Sequence, residues 1–420
     1  MRRPAPRALV VGVVWLTLAV AYGLFFSFSV FLVPLVEEFG WSRGLTAGAL
    51  SLSTVVQGLL APVTGMLVDR VGPRRVVLGG VVLLGSAPLL NATVHAPWHL
   101  YLYTGVLGAI GLVGLGWVPM GVLLSQWFVE RRGRAVGVAF SGMGVGVFVI
   151  GPLTQALVTA VGWRTASATL GAGALCLLLP LVWWGAREPG SRREERAAPG
   201  SGVERGQGTL RASVVPSRGG SPAPAPHPTL RHALRTRAFW ALFLAYFFTP
   251  LAVFPVSAHQ VAFAIDLGIE PLVAATVFGL MGLMSSLGRP GFGLAADRFG
   301  GPLSATVSFA CTACGALALL ALETSARTTW LGVYAILFGL GFGARGPIIT
   351  AMASDLFGGR RFGAIYGVLN LGNGLGAALG PWFAGFVHDV TGSYRIAFVA
   401  SVVFCVFGAG CFWATGRRAS

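Results

Sequence analysis

The sequence GMLVDRVGPRR, Gly65 to Arg75, joins two long apolar runs and places one acid and three arginines between them. A weaker copy, GLAADRFGG from Gly293 to Gly301, repeats the Gly-x-x-x-Asp-Arg-x-Gly core 228 positions later, again between apolar runs. A short charged segment between runs long enough to cross a bilayer is typical of a loop at the membrane surface. The two copies therefore indicate a duplicated membrane protein.

Composition independently predicts a membrane protein. The chain has 420 residues, of which 55% are hydrophobic and 10% charged, too few polar groups to cover a soluble globule of this size. Twelve apolar segments of roughly 20 to 28 residues can each cross the hydrocarbon as a helix. Their runs are continuous, whereas strands of a membrane barrel alternate apolar and polar residues. We place them near 9–36, 44–68, 76–94, 99–127, 134–160, 165–186, 238–265, 271–295, 302–322, 328–356, 362–389 and 394–414.

The arginines predict the orientation. All 30 basic residues are arginines, and with the N-terminus in the cytoplasm 24 of them fall on the cytoplasmic side. Four lie outside and two within the membrane, as the positive-inside rule requires. We therefore expect a multi-pass protein of the cell (inner) membrane with both termini cytoplasmic. The net charge of +16 then reflects topology and attraction to anionic lipid, not nucleic-acid binding.

One polar segment divides the chain. Residues 187–237 are rich in Arg, Glu, Gly, Ser and Pro and predict a disordered cytoplasmic linker. It separates a six-helix bundle at 1–186 from a second at 238–420. The five cysteines lie in apolar runs and are expected to be packing residues, so no metal site or cofactor is predicted. No catalytic triad or phosphate-binding loop indicates an enzyme, and a monomer is expected.

Glycines align the two halves. GVAFSGMGVG, Gly137 to Gly146, matches GVLNLGNGLG, Gly367 to Gly376, at four glycines, and each segment is followed by Gly-Pro. Glycines on membrane helices allow close helix approach. With the related loops, they predict parallel halves related by an axis along the membrane normal, with a cavity between them at mid-depth.

These features together resemble the major facilitator superfamily of transporters, with GRAVG at Gly133 to Gly137 as a further match. The resemblance implies twelve transmembrane helices in two six-helix halves around a central cavity. It also implies conformational gating at the cytoplasmic face, by contacts that favour the outward-open state. The candidates are Gly65, Asp69, Arg70 and Arg74, with Asp297 and Arg298 in the second copy. The alternative is that these charges are anchors that obey the charge rule.

A narrower resemblance runs through the second half. The segments HQVAFAIDLGI from His259, SSLGRPGFGLAADRFG from Ser285, SDLFGGRRFGAIYG from Ser354 and DVTGSYR from Asp389 are similar to the monocarboxylate porter family and its bacterial oxalate/formate-antiporter relatives. FGWSRG, Phe39 to Gly44, is similar to the same group. The resemblance implies a small organic anion as substrate.

Two arginines lie within predicted spans, and an intramembrane charge is a functional hypothesis by default. Arg289 is eight residues before Asp297, and the family resemblance places it at the substrate carboxylate. A guanidinium suits that role because its planar fork meets both carboxylate oxygens and stays charged. Arg345, in GLGFGARGP, is the second candidate. Each arginine has the alternative of a structural pairing.

Proton coupling requires a titrating group that faces the cavity. His259 has a suitable ordinary pKa, and the resemblance suggests that Asp266 exchanges a proton while Arg289 holds the anion. The alternatives are a packing histidine and a solvated helix end. Polar side chains that could orient the substrate include Tyr334 and Asn373, and hydroxyls and amides also serve to join neighbouring helices.

The sequence therefore predicts a secondary transporter that moves a small organic anion, most simply a monocarboxylate, by alternating access with a proton (symport). Alternatives are a drug/proton antiporter, an organic-anion exchanger of the oxalate/formate type, and a non-transporting membrane sensor.

Overall fold

The computed structural model describes residues 7–128, 132–186, 230–325, 328–357 and 362–416, and these residues are helical without strands. Of the predicted disordered linker at 187–237, residues 187–229 lie outside the described residues, whereas Leu230–Ala233 is helical and the next long helix begins at Arg237. We number the helices α1 Arg7–Phe26, α2 Phe28–Phe39, α3 Arg43–Val71, α4 Pro73–Asn91, α5 Pro97–Leu100, α6 Ala109–Gly114, α7 Trp117–Trp127, α8 Arg132–Gly185, α9 Leu230–Ala233, α10 Arg237–Asp266, α11 Pro271–Phe299, α12 Gly301–Ser325, α13 Thr329–Gly341, α14 Arg345–Phe357, α15 Phe362–Thr391 and α16 Arg395–Ala414. A π-helical stretch, Tyr101–Gly108, joins α5 to α6.

Ten helical segments of the described chain are long and apolar enough to cross a membrane. The longest helix, α8, has 54 residues, or about 81 Å at 1.5 Å per residue, which is too long for one crossing. It kinks at Gly162, where φ is 78°. Both of its arms reach the beginning of α1, since Gly142 packs on Trp15 and Gly185 on Val13. The helix therefore folds back and supplies two spans, and the predicted all-α membrane fold is confirmed.

Two of the four aligned glycine pairs, Gly142 with Gly372 and Gly146 with Gly376, make close helix contacts within each half. A Cβ at Gly142 or Gly146 would collide with the backbone of α1, at the carbonyls of Trp15 and Ala19. In the second half, a Cβ at Gly372 or Gly376 would collide with the α10 carbonyls of Phe243 and Phe247 in the same way. The repeated glycines thus serve one purpose in both halves, which is to let two backbones meet without a side chain between them.

The two halves also share a break in the same span. The span from Pro97 is interrupted at Leu115–Gly116, between α6 and α7, and the span from Thr329 at Phe342–Ala344, between α13 and α14. Pro119 and Pro347, two residues into the helices that follow, are again 228 positions apart. In the second break, the Ser285 hydroxyl donates to the Phe342 carbonyl at 2.9 Å and the Ser308 hydroxyl to the Gly341 carbonyl at 3.1 Å. Side chains thus satisfy carbonyls that the broken helix leaves open.

We expect Gly146→Ala and Gly376→Ala each to lower the free energy of unfolding by about 1–3 kcal/mol, because the new methyl group meets a backbone carbonyl that cannot move alone. Gly374→Ala is the matched control, since nothing lies within 4 Å of a Cβ at Gly374. Thermal unfolding of the purified variants in detergent measures the effect. Equal stability of Gly376→Ala and Gly374→Ala would contradict the packing argument.

Candidate functional site

The two halves of the described chain are joined asymmetrically across the membrane. We call the side where α1 begins and α16 ends the terminal side, and the opposite side the far side. The hydrogen bonds and ion pairs that the structure gives between the halves lie from mid-depth to the far side. The described parts of the halves are therefore joined on the far side, and no hydrogen bond or ion pair between described residues joins them at the terminal side.

Arg43 holds the far side together. Its guanidinium, on α3 of the first half, makes a bidentate ion pair with Asp266 of the second half, at 2.5 and 2.8 Å. The backbone N–H groups of Arg43 and Gly44 donate to the Asp389 carboxylate at 2.8 and 2.7 Å. Asp389 thereby caps the N-terminus of α3 from the other half, where the helix dipole favours a negative group. The side chains of Arg43 and Asp266 are 16% and 38% exposed, so water screens this pair only in part.

A hydrogen-bonded chain leads from this ion pair into the protein. Arg43 also donates to the Tyr394 hydroxyl at 2.8 Å, and that hydroxyl lies 3.0 Å from Nδ1 of His259. Nε2 of His259 lies 2.9 Å from the Pro381 carbonyl, which only accepts, so Nε2 carries the proton and Nδ1 accepts from Tyr394. Burial raises the pKa of the Tyr394 hydroxyl above its ordinary value, which keeps this donor protonated. The buried His259 is therefore held as a neutral ring with both nitrogens occupied.

The predicted gating residues lie on the terminal side. Asp69, Arg70, Asp297 and Arg298 are exposed and make no ion pair within the described chain. Arg74 donates to the Trp183 carbonyl of its own half and lies over the Trp183 ring at 5.2 Å. Gly65 faces Val118, also of its own half. That these residues lock the opposite state stays a prediction. Within the described residues, none of them makes a hydrogen bond or an ion pair to the other half.

Arg289 lies between the halves at mid-depth. It is ten residues, or about 15 Å, from the terminal-side end of the 29-residue α11, and four residues from the middle of that helix. Its guanidinium, which is half-buried, donates to the Met143 sulfur of the first half at 3.4 Å, and a thioether is a weak acceptor. No acidic side chain of the described residues pairs with it. The cation is therefore held at the interface without a counter-charge.

An aromatic cluster closes the interface on the far side of Arg289. The Phe26 ring of the first half makes edge contacts with Phe278 and Phe342 of the second, with centroids 6.2 and 5.9 Å apart. Phe342 belongs to the break between α13 and α14, and the next residue, Gly343, has φ 81°. A Cβ at Gly343 would lie 2.8 Å from Nε of Arg289, so glycine makes room for the guanidinium.

The first half presents an exposed aromatic ring at the same depth. Trp117, the first residue of α7, is ten residues from the terminal-side end of its helix and 52% exposed. Its indole stacks on the buried Phe140 ring at 4.4 Å. The Tyr22 hydroxyl lies beside this indole and within electrostatic reach of Arg289. Tyr22 thus lies near both Trp117 and Arg289, and Phe140, on which Trp117 stacks, lies one helical turn from Met143, the residue that Arg289 contacts.

Two of the other three predicted substrate contacts lie in the core of the second half. Arg345 is fully buried, with its guanidinium over the Phe309 ring at 4.2 Å and no hydrogen bond to its three nitrogens. Tyr334 is also fully buried, and its hydroxyl donates to the Met281 sulfur at 3.4 Å. Asn373 is half-buried on α15. The substrate roles of these three residues stay predictions, and in this conformation Arg345 and Tyr334 lie in the core of the second half.

Comparison with known proteins agrees with this geometry. The profile of the Major Facilitator Superfamily matches residues 14–344 and 324–419. Monocarboxylate transporter 13 of Rattus norvegicus is 29% identical over 393 residues, covering 93% of this chain and 85% of the relative. Human Monocarboxylate transporter 11 is 28% identical over 394 residues, covering 91% and 77%. These are proteins to which the chain is similar along nearly its whole length.

Among solved structures, the fold is similar to that of a bacterial homolog of the human lysosomal transporter Spinster, in an inward-facing and unoccupied conformation. The TM-score is 0.73 at 17% identity, and the match covers 99% of this chain and 98% of the other. At this identity the likeness concerns the fold alone.

Sequence reasoning singled out Asp266 and His259, but it missed their partners Arg43 and Tyr394, the helix cap by Asp389 and the exposed indole. Arg43 and Asp389 stand in the segments FGWSRG and DVTGSYR, which carry the narrower resemblance, and Arg43 is one of four arginines predicted outside. An arginine on the less basic side is a signal of a specific role, but no pattern shows that it meets Asp266, 223 positions away. For Trp117, the signal was the break that the glycines on either side of Leu115 introduce before it.

We expect Arg43→Gln to open the far side, because it removes the ion pair between the halves. Spin labels at Trp98→Cys and Glu270→Cys, in a background with the five native cysteines replaced by serine, report the separation of the halves there. The label distance should lengthen in Arg43→Gln.

Arg164→Gln is the matched control, since Arg164 pairs with Glu38 inside the first half. An unchanged label distance in Arg43→Gln, or the same change in both variants, would show that the Arg43 pair does not hold the far side closed.

Proposed function

This chain belongs to the Major Facilitator Superfamily, and we propose that it moves a small organic monocarboxylate across the cytoplasmic membrane by alternating access, together with a proton. Membership of that family makes it a multi-pass membrane transporter and not an enzyme. The observation that supports an anionic substrate is Arg289, a cation at mid-depth with no acidic partner among the described residues. The names of its relatives, which are monocarboxylate transporters, support the same substrate class.

An anion bound at Arg289 neutralises a positive charge whose burial in the membrane costs free energy. An unpaired ion inside a membrane is destabilised by several kcal/mol, because the medium solvates it poorly. A carboxylate can meet the guanidinium through two parallel hydrogen bonds and neutralise it. The net charge of the site is lower with the anion bound than without it, so burying the site costs less free energy when the halves close around it. Binding therefore favours the conformational change that moves the substrate across.

A single accessible cation favours a monocarboxylate over a dicarboxylate. The second intramembrane arginine, Arg345, has no exposed surface and faces the Phe309 ring. The first-half spans between residues 76 and 129 contain no Asp, Glu or Arg. A second carboxylate would therefore enter without a charged partner among the described residues, at a cost that one carboxylate avoids.

The terminal side is the cytoplasmic side in this proposal, so both termini lie in the cytoplasm. The excess of arginine there supports this orientation. The structure then corresponds to the state that binds or releases substrate on the inside. The opposite state would bring Asp69, Arg70 and Arg74 of the first half toward the second, as the gating hypothesis requires.

We call Arg43, Asp266, His388, Asp389 and Tyr394 the far-side cluster, and it contains the residues that we propose bind the proton. Asp266 faces Arg43 at 2.5 Å, and Nε2 of His388 lies 4.0 Å away. Tyr394 and Asp389 contact the same arginine. Protonation of Asp266 from the outside would remove its charge, weaken the pair with Arg43 and open the far side, where the anion is then captured. His259 joins this group through Tyr394 and is the second proton-coupling candidate.

We expect Arg289→Gln to lower uptake by about tenfold to a hundredfold. This corresponds to the binding free energy of about 1.5–3 kcal/mol that is lost with a hydrogen bond to a charged group. The measurement is uptake of labelled lactate, pyruvate, acetate, formate and oxalate into proteoliposomes. Arg164→Gln, a far-side arginine with its own acid, is the control. Full uptake by Arg289→Gln removes the anchor, and uptake that requires oxalate or formate inside the vesicles means exchange.

We expect Asp266→Asn to uncouple transport from the proton gradient, because the amide mimics the protonated acid permanently. Initial uptake of the acid that wild type transports should become independent of an imposed pH gradient, while exchange of labelled for unlabelled acid persists. Asp389→Asn is the control, since that carboxylate caps α3 and does not pair with the Arg43 side chain. Gradient-stimulated uptake that survives in Asp266→Asn argues against this residue as the proton site.

A further inference from the structure

Trp117 is an exposed aromatic ring in a place where the fold does not require one. Its partner Phe140 is buried, with 5% exposed, whereas the indole is 52% exposed. The stack on Phe140, at an interplanar angle of 27°, covers one face of the indole. The break at Leu115–Gly116 puts Trp117 at the start of α7, where Gly116 is extended, with φ −80° and ψ −160°.

The position of this ring connects it to Arg289. Trp117 and Arg289 are both ten residues from the terminal-side ends of their helices, or about 15 Å of helical rise. Trp117 stacks on Phe140, and Phe140 lies one helical turn before Met143, whose sulfur the Arg289 guanidinium contacts. The exposed indole is therefore connected to Arg289 through two neighbouring side chains on one face of α8.

The second half uses the equivalent position differently. Arg345 lies 228 positions after Trp117, also begins a helix after a break, and is also followed two residues later by proline. Arg345 is fully buried over Phe309, whereas Trp117 remains exposed. The duplication therefore does not require an aromatic residue at position 117, and the packing of the first half leaves the Trp117 indole exposed.

We propose that Trp117, backed by Phe140 and adjoined by Tyr22, binds the apolar end of the substrate and sets the specificity of the transporter. This inference rests on the proposed function, since it requires a carboxylate at Arg289. An indole face stabilises flat apolar groups by stacking and by burying apolar surface. The substrate class is then a monocarboxylate with an aromatic or bulky apolar side chain, in preference to formate, acetate or a dicarboxylate.

The test measures KM for labelled phenylacetate and acetate in proteoliposomes of wild type, Trp117→Ala and Trp117→Phe. We expect wild type to favour phenylacetate by about tenfold or more, in keeping with the contribution of one aromatic contact and its buried area. Trp117→Ala should remove most of this preference and change the KM for acetate by less than about twofold, with Trp117→Phe between them. Trp98→Ala, on the far-side surface, is the control for loss of a tryptophan.

Equal loss of both acids in Trp117→Ala and Trp117→Phe, with lowered thermal stability, would assign the indole to folding and overturn the inference. A wild-type protein without preference for phenylacetate would do the same. Arg289→Gln separates the two proposals. If that variant transports both acids normally, the proposed function fails; if it is inactive while Trp117→Ala keeps the wild-type preference, only the role of Trp117 fails.

Discussion

The hydrocarbon interior of the bilayer supplies no hydrogen-bond partners, so each backbone N–H and C=O group must be satisfied inside the protein. This constraint makes the described chain helical from Arg7 to Ala414 wherever it crosses the membrane. It also limits where a helix can break. At Phe342–Ala344, the hydroxyls of Ser285 and Ser308 donate to the carbonyls that the break exposes. The broken span is tolerated because the neighbouring helices supply donors, and the break places Gly343 where the Arg289 side chain needs room.

The two arginines at the interface illustrate opposite solutions to the cost of a charge. Arg43 lies at the membrane surface and has a full set of partners, from the carboxylate of Asp266 to the Tyr394 hydroxyl. Arg289 lies at mid-depth with a thioether and a nearby phenol. The first arrangement stabilises one closed state of the protein. The second leaves a guanidinium without an acidic partner among the described residues, and the same conformation combines this unpaired cation with halves that are joined on the far side.

The two halves repeat the same close packing of two helices and differ at other equivalent positions. The glycines that let α8 approach α1 have counterparts that let α15 approach α10. Gly144, however, packs on Gly282 of the other half, whereas its counterpart Gly374 has open space beside it. Trp117 and Arg345 diverge in the same manner, one exposed and one buried. Glycine contacts that build each half are repeated, whereas the contact of Gly144 with the other half and the exposure of Trp117 are not.

The sequence by itself determined the class of the protein. Apolar runs of spanning length, repeated glycines and the two Asp-Arg loops predict the twelve spans and their duplication, because hydrophobicity and helix length act locally along the chain. Arg289 could be singled out for the same reason, as a charge inside an apolar run. Only the tertiary structure decided which polar groups meet. The pairing of Arg43 with Asp266, the burial of Arg345 against Phe309 and the exposure of Trp117 depend on how distant helices pack. Packing between residues hundreds of positions apart leaves no periodic signal in the sequence, and so the site itself became visible only in the folded chain.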